Sequence, residues 1–471
     1  MIKKIISVFM LFLITLSLAS CDPWITIDPN TNNQGDTPEE NVDTFERLFD
    51  GVVYRKVTIE VSKDNWTALH ESLLEHQALF GNLKTDLYVD ANMTYEDDLG
   101  VIEYDHVGLR THGNLSLTYL MDGDGNINMN SFKINFRETF DGLHPENDGR
   151  RGFELKELDM KWNRNYDETY MTEQYALDMM NHFGVDAAQT THFILSFIID
   201  GEEVVMGLYT GFEPIDDEFV ERRLSQAEED GDLYKCLWQQ YGPASLELMV
   251  DPLAIGQRDV STNYMPAYDL KTNKDTSDHS EFLSFINNLN YLNGSSFDAY
   301  IDSHFEVEKF LRLLAVNVFI GNPDDYRAMG NNYFMYQNSE SLKWMMIPYD
   351  FDHGLGQGWW QADVYPNYSI GVDIYTWFDL NDALTGYDVK HPLVDKILAN
   401  DTYKDLYTSI VQEILNDTYF TETYFETEFN QLKVAFEGTF DDALDNQGFG
   451  LRNALDYISA KRSDVSSQLN G

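Results

Sequence analysis

Apolar and polar positions alternate along Gly51–Ser62, GVVYRKVTIEVS, as in a half-buried strand, and Ser62 or Asp64 is then placed to cap a helix carrying a Trp66–Leu69–Leu73 stripe. Further strands are predicted at Thr85–Val89, Gly100–Leu109 and Ser131–Phe136. Helical spacing returns over Thr169–Phe183, where Tyr170, Tyr175, Leu177 and Met180 share a face. Two apolar runs, His192–Ile199 and Val204–Tyr209, flank Asp200-Gly201, a pair suited to the positive backbone angles of a tight hairpin. From Pro214 the spacing is mainly helical: Asp217–Leu224, Ser280–Leu292, Phe297–Ile320 and three helices between Asp401 and Gln468, with one strand pair, Tyr333–Tyr336 and Trp344–Ile347, between them. A sheet-rich stretch, 45–215, followed by a mainly helical one, 216–471, predicts an α+β molecule with a ligand cleft between two lobes.

Composition agrees with a folded chain: 43% of the 471 residues are hydrophobic and 14% aromatic. Eighty acidic against 32 basic side chains give a net charge of −48, which excludes nonspecific nucleic-acid binding, because phosphate neutralisation needs clustered Lys and Arg. The N-terminus changes the picture more. Residues 1–20 have a basic start, an apolar run shorter than a membrane span and small residues at the end, the pattern of a secretory signal. Leu18-Ala19-Ser20-Cys21 resembles a bacterial lipobox, in which Cys21 becomes the lipidated first residue of the mature protein. Residues 21–44 read as a flexible tether. The expectation is an extracytoplasmic, membrane-anchored bacterial lipoprotein. Cys236 is then the one thiol besides the anchor, so neither a disulfide framework nor a Cys-based zinc site can be built.

The densest polar cluster is GNPDDYRAMGNNYFMYQN, Gly321–Asn338, after a long apolar helix, and MMIPYDFDHGLGQGWW, Met345–Trp360, follows it. An acidic pair on a loop, amide side chains shortly after, and Asp350-Phe351-Asp352 behind a strand together offer hard oxygen ligands of the kind magnesium prefers. The alternative is structural: Asp324 caps a turn, and Asp350 and Asp352 accept backbone amides. Paired carboxylates near Trp359 and Trp360 would also suit glycoside hydrolysis. In the string MDGDGNINMN, Asp122, Asp124, Asn126 and Asn128 alternate without the glycine and acid of a calcium loop, which points to a polar hairpin tip.

Ten strings in order resemble the CotH kinase family: LFDG…VTIEVSKDNWTAL, VGLRTHGNLS, SFKINF, NRNYDETYMTEQYALDMMNHFGV, GLYTGFEPIDDEFVERR, DLYK, DLKTNKD, the GNPD to NNYFMY block, IPYDFDHGLG and HPLVDKIL. The resemblance runs from about Leu48 to Leu469 and implies an atypical protein-kinase-like two-lobed fold, with a sheet-rich N-lobe and a helical C-lobe. It implies transfer of the ATP γ-phosphoryl, with Mg²⁺ or Mn²⁺, to Ser or Thr of surface or secreted proteins. On it, Lys133 holds the nucleotide phosphates and Glu173 orients Lys133. Asp324 aligns or deprotonates the acceptor hydroxyl, with Asp325 as decoy or helper. Asn332 and Asp350 hold metal, with Asp352 as an alternative ligand. Glu213 marks the adenine hinge through main-chain groups. No Gly-x-Gly-x-x-Gly loop precedes Lys133; Gly113, Asn114 and Ser116 cover the phosphates instead, and Arg110 compensates for His112, which stands where the family often has arginine. If the acidic surface runs into the cleft, free ATP is repelled and only its Mg²⁺ complex binds well. The rival expectations are a non-catalytic surface or adhesion protein with this fold, or a secreted carbohydrate-active protein.

Overall fold

The Ser62 hydroxyl accepts the Asn65 amide and starts a helix, and Gly81, at φ +75°, ends it. This pair of caps sets the first elements in a computed structural model that describes residues 42–359, 366–386, 389–439 and 449–470. The secretory signal, Cys21, nearly all of the tether and Trp360 lie outside the described residues.

The first part of the chain is α1 (Phe45–Phe49), β1 (Lys56–Val61), α2 (Lys63–Phe80), β2 (Val89–Asp97), β3 (Gly100–Thr111), β4 (Phe132–Asn135), β5 (Glu157–Trp162), α3 (Thr172–His182), β6 (Thr190–Ile199) and β7 (Glu202–Phe212). Its seven strands close into a barrel, in the order β1-β2-β3-β4-β5-β7-β6, sealed by parallel pairing of β6 with β1. Ile59, Met93, Leu109, Phe132, Ile134, Leu158, Met160 and Phe197 form one buried cluster, to which α2 adds Trp66, Leu69 and Leu73. The alternate residues of β3, β4, β5 and β7 make a polar outer floor, on which Arg110 pairs in register with Lys133, Lys133 with Asp159, and Asp159 with Phe212.

The rest holds α4 (Asp217–Glu221), β8 (Leu233–Cys236), β9 (Ile255–Gly256), β10 (Tyr268–Leu270), α5 (Ser280–Tyr291), α6 (Ser295–His304), α7 (Val307–Ile320), α8 (Tyr326–Met329), β11 (Tyr333–Gln337), β12 (Trp344–Pro348), α9 (Phe378–Thr385), α10 (Pro392–Leu398), α11 (Asp401–Asn416), α12 (Glu422–Phe436) and α13 (Arg452–Asn470). The helix α7 is apolar almost all round and sits inside the largest core cluster, against α3, α11 and α13.

The molecule is α+β, with four departures from the reading of the sequence. The strand expected at Thr85–Val89 begins only at Val89. The strand β5 was not predicted. The stretch Phe297–Ile320 is two helices, because Phe305 turns extended and bridges to Trp344. The pair β11–β12 is part of a five-stranded sheet, β12-β11-β8-β10-β9, so the second half is less purely helical than expected. At the tip of the insertion after β3, the Asp122 carboxylate takes the Asp124 and Asn126 amides and the Asn126 side chain, as a hairpin tip would.

Candidate active site

Asn317, buried near the end of α7, shapes the loop that follows. Its side-chain oxygen accepts the Asn322 amide at 3.0 Å, and its NH₂ donates to Asp325 Oδ2 at 2.6 Å. The other Asp325 oxygen caps α8 through the Ala328 amide at 2.8 Å, so Asp325 is committed to the loop. Asp324 is left lining a cavity of about 870 Å³, where Asn331 donates to its Oδ1 at 2.8 Å. Burial pushes the Asp324 carboxyl up to about 6, with Asn331 and His353 pulling the other way. The Asn332 NH₂ donates to the Asp324 carbonyl at 3.0 Å, and Asn332 sits at φ +55°.

In the same cavity, Glu173 in the first turn of α3 and Asp350 and Asp352 just past β12 converge on one ammonium. Lys161 Nζ lies 2.7 Å from Glu173, 2.5 Å from Asp350 and 3.0 Å from Asp352. Oxygens of the three carboxylates come within 4.8 Å of one another. Burial pushes Glu173 up to about 8 against the pull of Lys161, and Asp350 and Asp352 add to the rise. Burial acts on Asp352 in the same sense, but Lys161 and His353 outweigh it and hold that group at about 2. Once Glu173 gives up its proton, three carboxylates surround one shared ammonium in a half-buried place, and an all-oxygen donor set of this kind fits Mg²⁺. Glu173, Asp350 and Asp352 are the residues that would hold it, and the side-chain oxygen of Asn332 is a further donor from the same cavity.

The expected pairing of Lys133 with Glu173 does not form. Lys133 is held by Glu157 at 2.5 Å and Asp159 at 3.1 Å, both on the neighbouring strand β5. Burial would lower the Lys133 pKa, but Asp159 and Glu157 raise it on balance. The reason is register: Lys133 stands opposite Asp159, whereas Lys161, two residues further along the same face of β5, reaches the start of α3. The reading of the sequence missed Lys161, and its signal was the alternation of Glu157, Asp159 and Lys161 around the inward Leu158 and Met160.

The remaining candidates also line the cavity. Arg110 lies over the Tyr88 ring at 5.2 Å, and Gly113 adopts φ +145° with Asn114 and Ser116 beside it. His112 is 3.7 Å from Asp159, and burial, with Lys133 and Arg110, holds its imidazole well below its ordinary pKa, so it is neutral and does not replace an arginine. Glu213 is 2% exposed, its carboxylate taken by Arg222 at 2.8 Å and Arg223 at 2.7 Å and its amide donating to the Gln189 carbonyl.

The lining carries nine Lys or Arg beside nine Asp or Glu, in a chain with 80 acidic and 32 basic residues. The acidic excess of the chain therefore does not continue into the cavity, and the condition under which free ATP would be repelled is not met. Two half-buried lysines of this lining have no carboxylate partner among the described residues. Lys84 donates to Gln239 at 3.3 Å, and burial and Arg258 bring it down to about 8. Lys235, from the DLYK string, lies 4.0 Å over the Tyr349 ring, and burial and Lys271 bring it down to about 7. Unneutralised cations at this depth favour an anionic ligand.

Residues 109–451 match the family described as CotH kinase protein. Inner spore coat protein H of Bacillus subtilis (strain 168) is 24% identical over 191 residues, 41% of this chain and 48% of that protein, so the chain spans about half the length of this curated relative. The crystal structure of a Helicobacter pylori proinflammatory kinase, CtkA, is 13% identical and covers 64% of this chain and 90% of its own, with a TM-score of 0.21. The family match takes in Arg110, Lys133, Lys161, Glu173, Asp324, Asp350 and Asp352. The chain belongs to the CotH kinase family.

Proposed function

We propose that this is an extracytoplasmic protein kinase, anchored through a lipid on Cys21, that transfers the γ-phosphoryl of ATP to Ser or Thr of surface or secreted proteins. The observation that supports it most is the meeting of Lys161, Glu173, Asp350 and Asp352 in the cavity that Asp324 also lines. ATP lies between a barrel-bearing N-lobe, 45–215, and a C-lobe, 216–471, in a two-lobed, kinase-like arrangement. Phosphoryl transfer needs positioning and charge neutralisation more than covalent help. Glu173 fixes Lys161 against the phosphates, the role first expected of Lys133. Lys133, neutralised by Glu157 and Asp159, keeps the floor beneath the phosphates rigid. Arg110, Gly113, Asn114 and Ser116 close over them. Asp324, with Asn331 on one oxygen, orients the acceptor hydroxyl and takes its proton. Bound Mg²⁺ supplies charge neutralisation of the phosphate oxygens. The adenine edge meets main-chain groups after β7; since the Glu213 amide is already bound and Pro214 has none, the donor there is the Ile215 amide.

The test is transfer from γ-labelled ATP with Mg²⁺ or Mn²⁺ to Ser-rich and acidic acceptor proteins, comparing the parent with Asp324→Ala, both shown folded by circular dichroism. Label incorporated by the parent and lost in the variant is the expected result. No transfer together with no ATP·Mg²⁺ binding by calorimetry would overturn the proposal and favour a non-catalytic surface protein.

A further inference from the structure

Outside the cavity, the barrel carries a second cluster of metal-binding character. Asp90 on β2, His106 on β3 and His144 in the loop after β4 bring ligand atoms within 4.8 Å of one another, and none of the three lines the candidate active site. His106 Nδ1 is 3.1 Å from both Asp90 oxygens, and His144 Nε2 is 3.7 Å from Asp90 Oδ2.

Three features go beyond proximity. First, the backbone is bent to present His106. Between Ala91 and Met93 the register of β2 with β3 slips, and His106 takes φ +55° in the middle of a strand. A bulge of this kind re-aims a side chain at the cost of local strain. Asn92 Oδ1 holds the His106 amide at 3.1 Å, and Asn147 and Arg150 hold its carbonyl at 2.7 and 3.0 Å. Second, Glu146 lies 3.0 Å from His144 Nδ1, the nitrogen that faces away from Asp90. A carboxylate there fixes the tautomer that leaves Nε2 free to coordinate. Third, the His106 side chain is 42% exposed, so an ion has a path in.

We propose that Asp90, His106 and His144 form a binding site for a divalent transition metal, zinc foremost. Two imidazole nitrogens and a carboxylate suit zinc and its neighbours, whereas magnesium prefers oxygen alone. The imidazole rings are stacked, with centroids 3.7 Å apart and planes 18° from parallel, so their lone pairs run side by side. Loading therefore turns the more exposed His106 ring out of the stack to aim both nitrogens at one ion, with water completing the coordination. The bound ion ties the loop that carries His144 to the β2–β3 bulge, a structural clip on the barrel wall away from the nucleotide.

The test is calorimetric titration of the chelator-stripped full chain with Zn²⁺, in excess Mg²⁺ so that the carboxylates around Lys161 are occupied. One zinc equivalent is expected for the parent and for Glu173→Gln, and at least a tenfold weaker affinity for His106→Gln and His144→Gln. Glu146→Gln should keep the stoichiometry and weaken binding by about tenfold or more. The visible spectrum of the Co²⁺ form should show bands of nitrogen and oxygen ligation in the parent that are altered in either histidine variant. The proposal is overturned if the parent takes up no zinc, if both histidine variants bind it as tightly as the parent, or if the equivalent disappears in Glu173→Gln. A variant that fails to fold leaves the uptake and Co²⁺ spectrum of the parent to decide.

Discussion

Lys161 is the one ammonium that Glu173, Asp350 and Asp352 share among the described residues, with His353 beside Asp352 alone, and that imbalance makes the cluster sensitive to both pH and metal. Glu173 binds its proton more tightly folded than unfolded, from its ordinary 4.5 up to about 8, so across that interval the folded state holds the extra proton and stability falls as pH rises. A divalent cation relieves the repulsion that appears when the proton leaves. The increase in Tm on adding Mg²⁺ should therefore be larger at pH 8 than at pH 5, as thermal melts would read it; an equal increase at both would argue against metal at these carboxylates. The two lysines also separate. Lys161→Met should lower phosphoryl transfer by about a hundredfold or more, by analogy with loss of one preorganised donor, and Lys133→Met by much less; label-transfer rates on both variants check this. If Asp324 is the proposed base, its pKa of about 6 should set the acid limb of the rate profile, with activity falling as pH drops below that value. Removing the Asn331 donor, which holds the pKa down, should move the limb upward in Asn331→Ala, seen in a pH–rate series. Asp324, Asp350, Asp352 and Glu173 were legible as candidates because their strings are distinctive. Lys161 was not, since nothing in ELDMKW marks that lysine until the strand is paired.

At the scale of elements, local signals were the readable ones. The Ser62 cap, the α2 stripe and the Asp200-Gly201 hairpin depend on neighbours in sequence, and each appears in the fold. The strand β5 was hidden because Glu, Asp and Lys make half of its six residues, and such residues are depleted in strands; barrel pairing with β4 and β7 overrides that preference. The break between α6 and α7 is likewise imposed from outside, by the bridge of Phe305 to Trp344. The Gly113 loop gives a prediction at this scale. At φ +145°, an added Cβ would run into Ser116 Oγ, so Gly113→Ala introduces strain of about 1–3 kcal/mol. Because the loop is exposed, it should relieve that strain by shifting away from the cavity. ATP·Mg²⁺ affinity should fall by about tenfold while Tm changes little, with calorimetry and a melt on the same sample giving the two numbers.

Across the whole molecule, charge and topology are distributed in ways that composition does not show. An excess of 80 acids over 32 bases leaves open whether the cleft is acidic, and the fold gathers nine of its cations at one cavity and leaves most of the acids elsewhere. The order of the halves, strands first and helices later, was readable; the closure of the first into a barrel and the five-stranded sheet in the second were not, because they join strands distant in the chain. That closure bears on how the protein can be cut. A barrel sealed by β1 against β6 presents no free strand edge, and the family match begins only at residue 109, within β3. A fragment limited to 109–451 would lack β1, β2 and most of β3, leaving Ile194–Ile199 of β6 without its β1 partner and the remaining stub of β3, 109–111, open on its β2 side. Such edges template the pairing of one chain with another. Light scattering should find the fragment aggregated under conditions in which the full chain is not, making the stretch outside the family match a guard against self-association.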